Sequence, residues 1–310
     1  MNHQGAEKRA ILIAGPTASG KSALALDLAG RICGTVINAD SMQVYADLHI
    51  LTARPSSAET ARVPHRLFGH VDAAAAYSVG RWLDDVRLAL EETWTAGRRP
   101  VVVGGTGLYF KALTQGLSAI PAVPDALRAR IRQEAEGQAP EQLHARLAQH
   151  DPVMAARLRP SDPQRILRAL EVWEATGRSL AAFQGERQPP LLPVGEVAAS
   201  ILEPDRDDLK RRIERRFDAM MAAGALDEVA RLAARNLDPT LPAMRALGVP
   251  PLLAHLRGEI DLDTAVRAGK GLTWQYARRQ MTFIRSQLAD RFASGSSGDA
   301  GSSPRDPGRL

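Results

Sequence analysis

The sequence predicts an α/β protein: a parallel, doubly wound sheet into which a helical segment is inserted. Two observations point to the sheet and one to the insertion. Three short apolar runs, "RAILIAG" (9–15), "GTVINAD" (34–40) and "RRPVVVGGTG" (98–107), each end in a polar or glycine-rich turn. The residues between the first two, "ALALDLAGRI", have helical spacing, as a strand–helix alternation requires. From about residue 116 to residue 188 the strand signal stops, and Ala, Leu, Arg, Glu and Gln spell out several helices.

The first run leads into "GPTASGKS" (15–22), which matches G-x-x-x-x-G-K-[ST] at every position. Gly15 and Gly20 let the backbone curl so that several N–H groups of the loop, through Thr17, Ala18 and Ser19, converge on a phosphate, and the following helix adds its positive end. Lys21 supplies a mobile charge, and Ser22 can ligate Mg²⁺. The core is therefore expected to be P-loop NTPase-like. What the motif specifies is a di- or triphosphate with a metal ion; it does not specify adenine.

The second run leads to "NADSMQVY", where Asp40 faces the phosphate loop as a general base, an outer Mg²⁺ ligand or a simple helix cap. The third ends in "GGTGLYF". Many NTP hydrolases carry an Asp there to help hold Mg²⁺, so its absence tells against an ATPase motor. Thr106, between glycines, either bonds an anion or small substrate or sits in a plain tight turn.

Within the inserted segment, "SDPQRILRALEVWEATG" starts at a capping Asp162 with Pro163 at the first helical position and stops at Gly177. Ile166, Leu167, Leu170 and Trp173 are expected to be its buried face, with Gln164 and Arg168 opposite and Arg165 nearby, suited either to nucleic acid or to solvent. After the proline-rich "ERQPPLLP" and the apolar run "VAASILE" the chain is again mostly helical. The helix beginning near Asp207 has an apolar stripe of Leu209, Ile213, Phe217 and Met220. At about 100° per residue, Arg216 falls inside that stripe, roughly 20° from Leu209. A cation turned inward calls for an anion, unless it snorkels from the stripe's end. The last helix, "LTWQYARRQMTFIRSQL", sets Trp274, Ala277, Met281 and Ile284 on one side and Tyr276, Arg279 and Phe283 on the other, an arginine–aromatic row that can stack on bases or be buried on both sides. The expected divisions are 1–115 and 199–292 for the two parts of the core, 116–198 for the insertion, and a Gly/Ser-rich disordered tail at 293–310.

Composition sets the outer bounds. The chain has 310 residues, 45% hydrophobic and 24% charged, which suits a soluble globule. No apolar run approaches the roughly 20 residues that span a bilayer, and the first residues lack a signal-peptide pattern. A single cysteine, Cys33, excludes an internal disulfide framework and fits a reducing compartment, so a cytoplasmic location is expected. The net charge of +5 is weak evidence for a polyanionic partner by itself. Its distribution is sharper, with six basic residues against three acids over 206–216 and six against one over 267–291.

Taken together, "GPTASGKS", "INADSMQVY", "VVVGGTGLYFKAL", "DPQRILRALEVWEATGRSL", "RRIERRFDAMMAAGALDEV" and "QYARRQMTFIR" closely resemble the blocks of the bacterial tRNA dimethylallyltransferase (isopentenyltransferase) family, in family order, over about residues 10–290. The resemblance implies that the loop holds dimethylallyl diphosphate rather than ATP. It implies transfer of the dimethylallyl group to N6 of adenosine 37, beside the anticodon, in tRNAs reading codons that begin with U. On that analogy Asp40 accepts the N6 proton, while Lys21, Ser22, Thr106 and Arg216 stabilise the departing diphosphate with Mg²⁺ held at Ser22. Asp40, Ser41, Met42 and Gln43, together with Thr106, Arg128, Gln164, Arg165, Ile166, Leu167 and Arg168, match the family's tRNA-contact positions. A monomer suffices for this chemistry.

Two stretches depart from the family pattern: "LTARP" (51–55) has Arg where a G-T-A-K-P lysine is usual, and "RALGVPPLL" (245–253) replaces a usual Gly-Tyr. Two other classes remain open on the residues alone. A small-molecule P-loop kinase would use Asp40 on a hydroxyl acceptor, and an ATP-gated RNA-binding protein would do no transfer chemistry. The missing acid after Val103 disfavours both.

Overall fold

The structure, a computed structural model, describes residues 9–185, 187–290 and 292. The expected tail at 293–310 lies outside the described residues. The chain divides into two compact units, one formed by residues 1–115 with 191–310 and one by residues 116–190.

The first unit is built on five parallel strands: β1 (Ala10–Ala14), β2 (Gly34–Asn38), β3 (His65–Arg66), β4 (Arg99–Gly104) and β5 (Val197–Ile201), in the order β3-β2-β4-β1-β5. Parallel strands need crossovers, supplied here by α1 (Lys21–Arg31), α2 (Ser57–Arg62) and α3 (Val79–Thr95), with α4 (Gly107–Gln115) following β4. Apolar runs suit this sheet because both faces are covered. Leu12, Ile37 and Val102 pack with Trp82, Val86 and Phe110, whereas Ile13, Val36, Val101 and Val103 pack with Ala25, Leu26 and Ala29 of α1. The three strands legible in the sequence sit side by side as β2-β4-β1, which brings the loops after them to one edge. β3, only two residues long, carries no apolar pattern to read. β5 is the "VAASILE" run; Val197 pairs with Ala10, so residues 191–198 go with the sheet and the second unit ends at 190 rather than 198.

The second unit is helical throughout its regular elements: α5 (Asp125–Glu134), α6 (Pro140–His150), α7 (Pro152–Arg157), α8 (Pro163–Thr176) and α9 (Leu180–Phe183). Ile131, Leu143, Leu147, Met154, Ile166 and Leu170 form its core. Asp162 caps α8 through the Arg165 N–H, and Gly177 ends it at φ 65°. The buried face of α8 is rotated from the one expected. Ala169, Glu171 and Val172 are buried with Ile166 and Leu170, while Leu167 and Trp173 are only half-buried. Periodicity misplaced the face because a buried Glu and a small Ala do not register as apolar positions.

After β5 come α10 (Arg206–Ala222), α11 (Ala225–Ala234), α12 (Val249–Leu256) and α13 (Leu262–Gln287), all in the first unit. Leu209, Ile213, Phe217 and Met220 are the buried residues of α10, the stripe the sequence predicts. On α13 the buried positions include Ala277, Gln280 and Ile284, with Trp274 and Met281 half-buried.

Candidate active site

The loop between β1 and α1 is held in a shape that few sequences tolerate. Gly20, at φ 91°, and Ala18, at φ 62°, both adopt left-handed backbone. For a non-glycine residue such as Ala18 this costs on the order of 1–3 kcal/mol, and strain of this kind gathers at ligand sites. Lys21 is buried and donates from Nζ to the Pro16 carbonyl at 3.0 Å. The Ser19 hydroxyl is buried and finds no partner among the described residues. An unsatisfied buried hydroxyl beside converging amides is what a phosphate oxygen would complete.

The loops after β2 and β4 meet this one. Asn38, fully buried, accepts from the Asp40 N–H at 2.8 Å and donates to the Asp40 and Leu67 carbonyls, fixing the turn. Asp40 Oδ1 accepts from the Met42 N–H at 2.9 Å, and no helix follows, so it caps a turn rather than a helix. Thr106 bridges the two strand ends: its N–H donates to the Ala39 carbonyl, and its Oγ1 accepts from the Ser41 N–H at 2.9 Å. It is more than a tight-turn residue.

Asp40, Lys21 and Arg216 interact electrostatically. Burial pushes the Lys21 ammonium down to about 8, with Asp40 opposing the shift and Arg216 reinforcing it. Burial likewise disfavours the charge on Arg216, and Asp40 offsets that. The three line a cavity of about 560 Å³ with Thr17, Ala18, Ser19, Gly20 and Ser22. Arg216 therefore turns into this cavity, beside Lys21 and Asp40, and does not snorkel away. Gln43 also lines the cavity, whereas Gly15, Ser41, Met42 and Thr106 lie outside its lining.

Other residues hold the site in place. Gln280, buried on α13, accepts from the Thr17 N–H and donates to the Gly105 carbonyl, both at 2.9 Å. A Cβ at Gly105 would fall 2.1 Å from Gln280 Nε2, so only glycine admits this bridge. Tyr276 hydrogen-bonds through its hydroxyl to Thr106 and Ser41; burial and the nearby Asp40 raise it to about 12. Phe283 lies against Gly107. The expected arginine–aromatic face of α13 is therefore turned in part onto the strand-end loops, with Arg279 exposed beside the Tyr276 ring. Glu228, buried on α11, accepts from the successive N–H groups of His49, Ile50 and Leu51 at 2.7–2.9 Å, holding the segment whose Ile50, Thr52, Ala53 and Arg54 line the cavity. Arg54, in place of the usual lysine, reaches the Ala46 carbonyl at 3.1 Å.

A model of IPP transferases matches residues 43–287, and one of isopentenyl transferases matches residues 8–68. The chain belongs to the IPP transferase family. Relatives in the family include a tRNA dimethylallyltransferase of Beijerinckia indica, 63% identical over 281 residues that cover 91% of this chain and 93% of the relative. Another, from Methylocella silvestris, is 63% identical over 279 residues, or 90% and 92% of the two chains. Among solved structures, a full-length tRNA isopentenylpyrophosphate transferase from Bacillus halodurans matches with a TM-score of 0.63 at 32% identity, covering 91% of this chain and 88% of that one. A eukaryotic dimethylallyltransferase acting on tRNA matches with a TM-score of 0.78 at 29% identity, covering 93% and 73%.

For an IPP transferase the donor set fits Mg²⁺ of the phosphate-bound kind. Among the described residues no group of three or more His, Cys, Asp or Glu could cage a metal. Mg²⁺ characteristically takes a few protein oxygens, waters and substrate phosphates, and the exposed Ser22 hydroxyl on the first turn of α1 is such an oxygen. The remaining candidates lie in the second unit. Gln164 and Arg165 are exposed on the first turn of α8, Arg168 and Leu167 are half-buried, and Arg128 stands on α5. Ile166 is fully buried in that unit's core, so its side chain has no surface to offer a partner. Among the described residues no helix is long and apolar enough to cross a membrane.

Proposed function

We propose that this enzyme transfers the dimethylallyl group of dimethylallyl diphosphate to N6 of adenosine 37 in tRNAs that read codons beginning with U. The observation that carries the reading is the cavity itself: the phosphate loop, the Asp40 carboxylate and the desolvated Lys21 and Arg216 share with Arg54, Arg212 and Glu59 a lining that, among the described residues, has no aromatic side chain on which the adenine of a nucleotide donor could stack. That favours a diphosphate bearing a small apolar group over ATP. Membership of the IPP transferase family, and relatives that are tRNA dimethylallyltransferases, support the same substrates.

The loop amides, Lys21 and Arg216 grip the diphosphate, and the Ser19 hydroxyl gains its missing partner. Mg²⁺ held by Ser22 and the diphosphate oxygens would neutralise charge on the leaving group. The N6 amine attacks the first carbon of the dimethylallyl chain, the carbon–oxygen bond to diphosphate breaks, and Asp40 takes the N6 proton. Thr106, fixed between Ala39 and Ser41, orients the acceptor and leaving group. Adenosine must first leave its stack, at a cost of a few kcal/mol. Asp40 to Gln43, Thr106, Arg128 and the start of α8 serve the tRNA. The chemistry calls on no second subunit, and we place it in a cytoplasmic monomer.

The test is incubation of the protein with Mg²⁺, dimethylallyl diphosphate and an unmodified tRNA bearing A36-A37, followed by mass spectrometry of its nucleosides. A gain of one C₅H₈ unit on adenosine 37, reduced about 10²–10⁴-fold in Asp40→Ala, is expected. ATP consumption without any prenylated adenosine would overturn the reading.

A further inference from the structure

Glu171 should not be where it is. It lies on the core face of α8 among Ile166, Ala169, Leu170 and Val172, and its side chain is 2% exposed. A buried carboxylate is costly unless paired, and here three guanidinium groups surround it. Arg132 Nε stands 3.1 Å away, Arg168 Nη1 3.5 Å and Arg128 Nε 3.9 Å. Arg128 and Arg132 are four residues apart on α5, hence on one face; Arg168 is three residues before Glu171 on α8. All three arginines keep exposed surface, 35% for Arg128, 56% for Arg132 and 38% for Arg168.

The same two helices, joined by α6, carry a second ionic cluster that shows what a structural arrangement looks like. Arg130 and Arg146 pair with Glu134 and Glu174 in a closed ring of four, two cations to two anions, at 2.5–2.9 Å. The Glu171 cluster is unbalanced, three cations on one buried anion. Arg128 also meets Asp125, but that carboxylate is 96% exposed, and pairs of this kind exchange readily for another anion. Among the described residues the bond of Arg132 to the protein runs through Nε, so its terminal nitrogens carry donors beyond the cluster. Guanidinium forks held at fixed spacing match phosphate oxygens.

We propose that Arg132 joins Arg128 and Arg168 as a three-arginine clamp on the RNA backbone, and that Glu171 is the positioning residue that holds the clamp open. This rests on the reading that the chain acts on tRNA, and it adds two residues that the reading does not use. Glu171 fixes the orientation of the guanidinium groups from beneath while leaving excess positive charge for phosphates.

The test uses the full chain, a substrate tRNA and a salt series. Arg132→Ala is expected to reduce the slope of log affinity against log salt by about one, and to raise the KM for tRNA about three- to tenfold, with kcat and the KM for dimethylallyl diphosphate unchanged. Glu171→Gln makes the opposing case sharp. It removes one negative charge from the protein, so a merely neutralising Glu171 predicts tighter tRNA binding, whereas a positioning Glu171 predicts weaker binding. An unchanged salt slope in Arg132→Ala overturns the clamp even if Glu171→Gln fails to fold. If Glu171→Gln folds and binds tRNA equally or more tightly, the positioning role is overturned. Wild-type prenyl transfer, measured alongside, separates these failures from failure of the functional reading, which would take this inference with it.

Discussion

Lys21 and Arg132 are both cations near a carboxylate, yet the chain treats them in opposite ways. Lys21 is buried, its charge disfavoured by burial and only partly restored by Asp40, and beside it stands the Ser19 hydroxyl, without a partner among the described residues. Arg132 is more than half exposed and bonded to a carboxylate that is itself buried. In the first region the cation is the strained member and the ligand completes it. In the second the anion is the buried member and the cations are presented outward. A site of the first kind can spend binding interactions on a transition state, because its groups are worth most when charge develops within reach. A site of the second kind binds phosphates wherever they lie and contributes affinity and register.

The comparison breaks most visibly at Arg216. Truncation to Ala should lower kcat for prenyl transfer by roughly 10²–10³-fold, the scale seen when one preorganised charge stabiliser is removed. Arg165→Ala on the first turn of α8 should leave kcat unchanged and raise only the KM for tRNA. Steady-state kinetics with each substrate varied in turn separates the two. An Arg216→Ala enzyme with normal kcat and a raised tRNA KM would place that arginine with the second region.

A pH series gives a smaller effect with a definite sign. Lys21 lies at about 8 in the folded protein, below its ordinary 10.5, because burial penalises the charged form. Below about pH 8 it is charged in both folded and unfolded chains, and the folded protein bears the full cost. That cost fades as pH rises from about 8 to 10.5. Diphosphate binding needs the charged form, so kcat/KM for dimethylallyl diphosphate should fall above about pH 8, by up to about tenfold per unit. The tRNA KM should show no matching limb, because Lys21 lies in the diphosphate cavity and not among the proposed tRNA contacts. Lys21→Arg should abolish the descent, and a descent that persists there would assign it to another group.

How much of this was legible follows the same division. The phosphate loop could be read outright because a strained backbone restricts residue choice at fixed spacing. Asp40 and Thr106 were legible as strand-end residues, and the β2-β4-β1 order explains why their loops meet: neighbouring parallel strands deliver them to one edge. Arg216 was legible by helical phase, since one charge inside an apolar stripe stands out. Periodicity is blind to a buried polar residue that replaces an apolar one without comment. Gln280, Glu228 and Glu171 are all of that kind, 2–5% exposed, each paired with groups far away in the chain or on another helix. β3 escaped because two residues carry no pattern, and the end of the inserted segment was put at 198 instead of 190 because the partnering of β5 with β1 is long-range.

Gln280 tests whether the phosphate loop is shaped by the protein or by its ligand. Its amide joins the Thr17 N–H to the Gly105 carbonyl, tying the loop after β1 to the loop after β4 through α13. Gln280→Leu keeps the bulk and removes both bonds, leaving two backbone groups unpaired in a buried setting. The expected cost is about 1–3 kcal/mol of stability, read by thermal or denaturant unfolding, with a rise in the KM for dimethylallyl diphosphate and little change in that for tRNA. Arg165→Ala, by contrast, should alter stability by no more than about 0.5 kcal/mol, because its side chain lies open to water on the first turn of α8. Equal losses in the two variants would erase the distinction between a loop braced in advance and an exposed contact surface. Unequal losses with an unchanged diphosphate KM would say that the ligand itself shapes the loop, and that Gln280 merely fills the core.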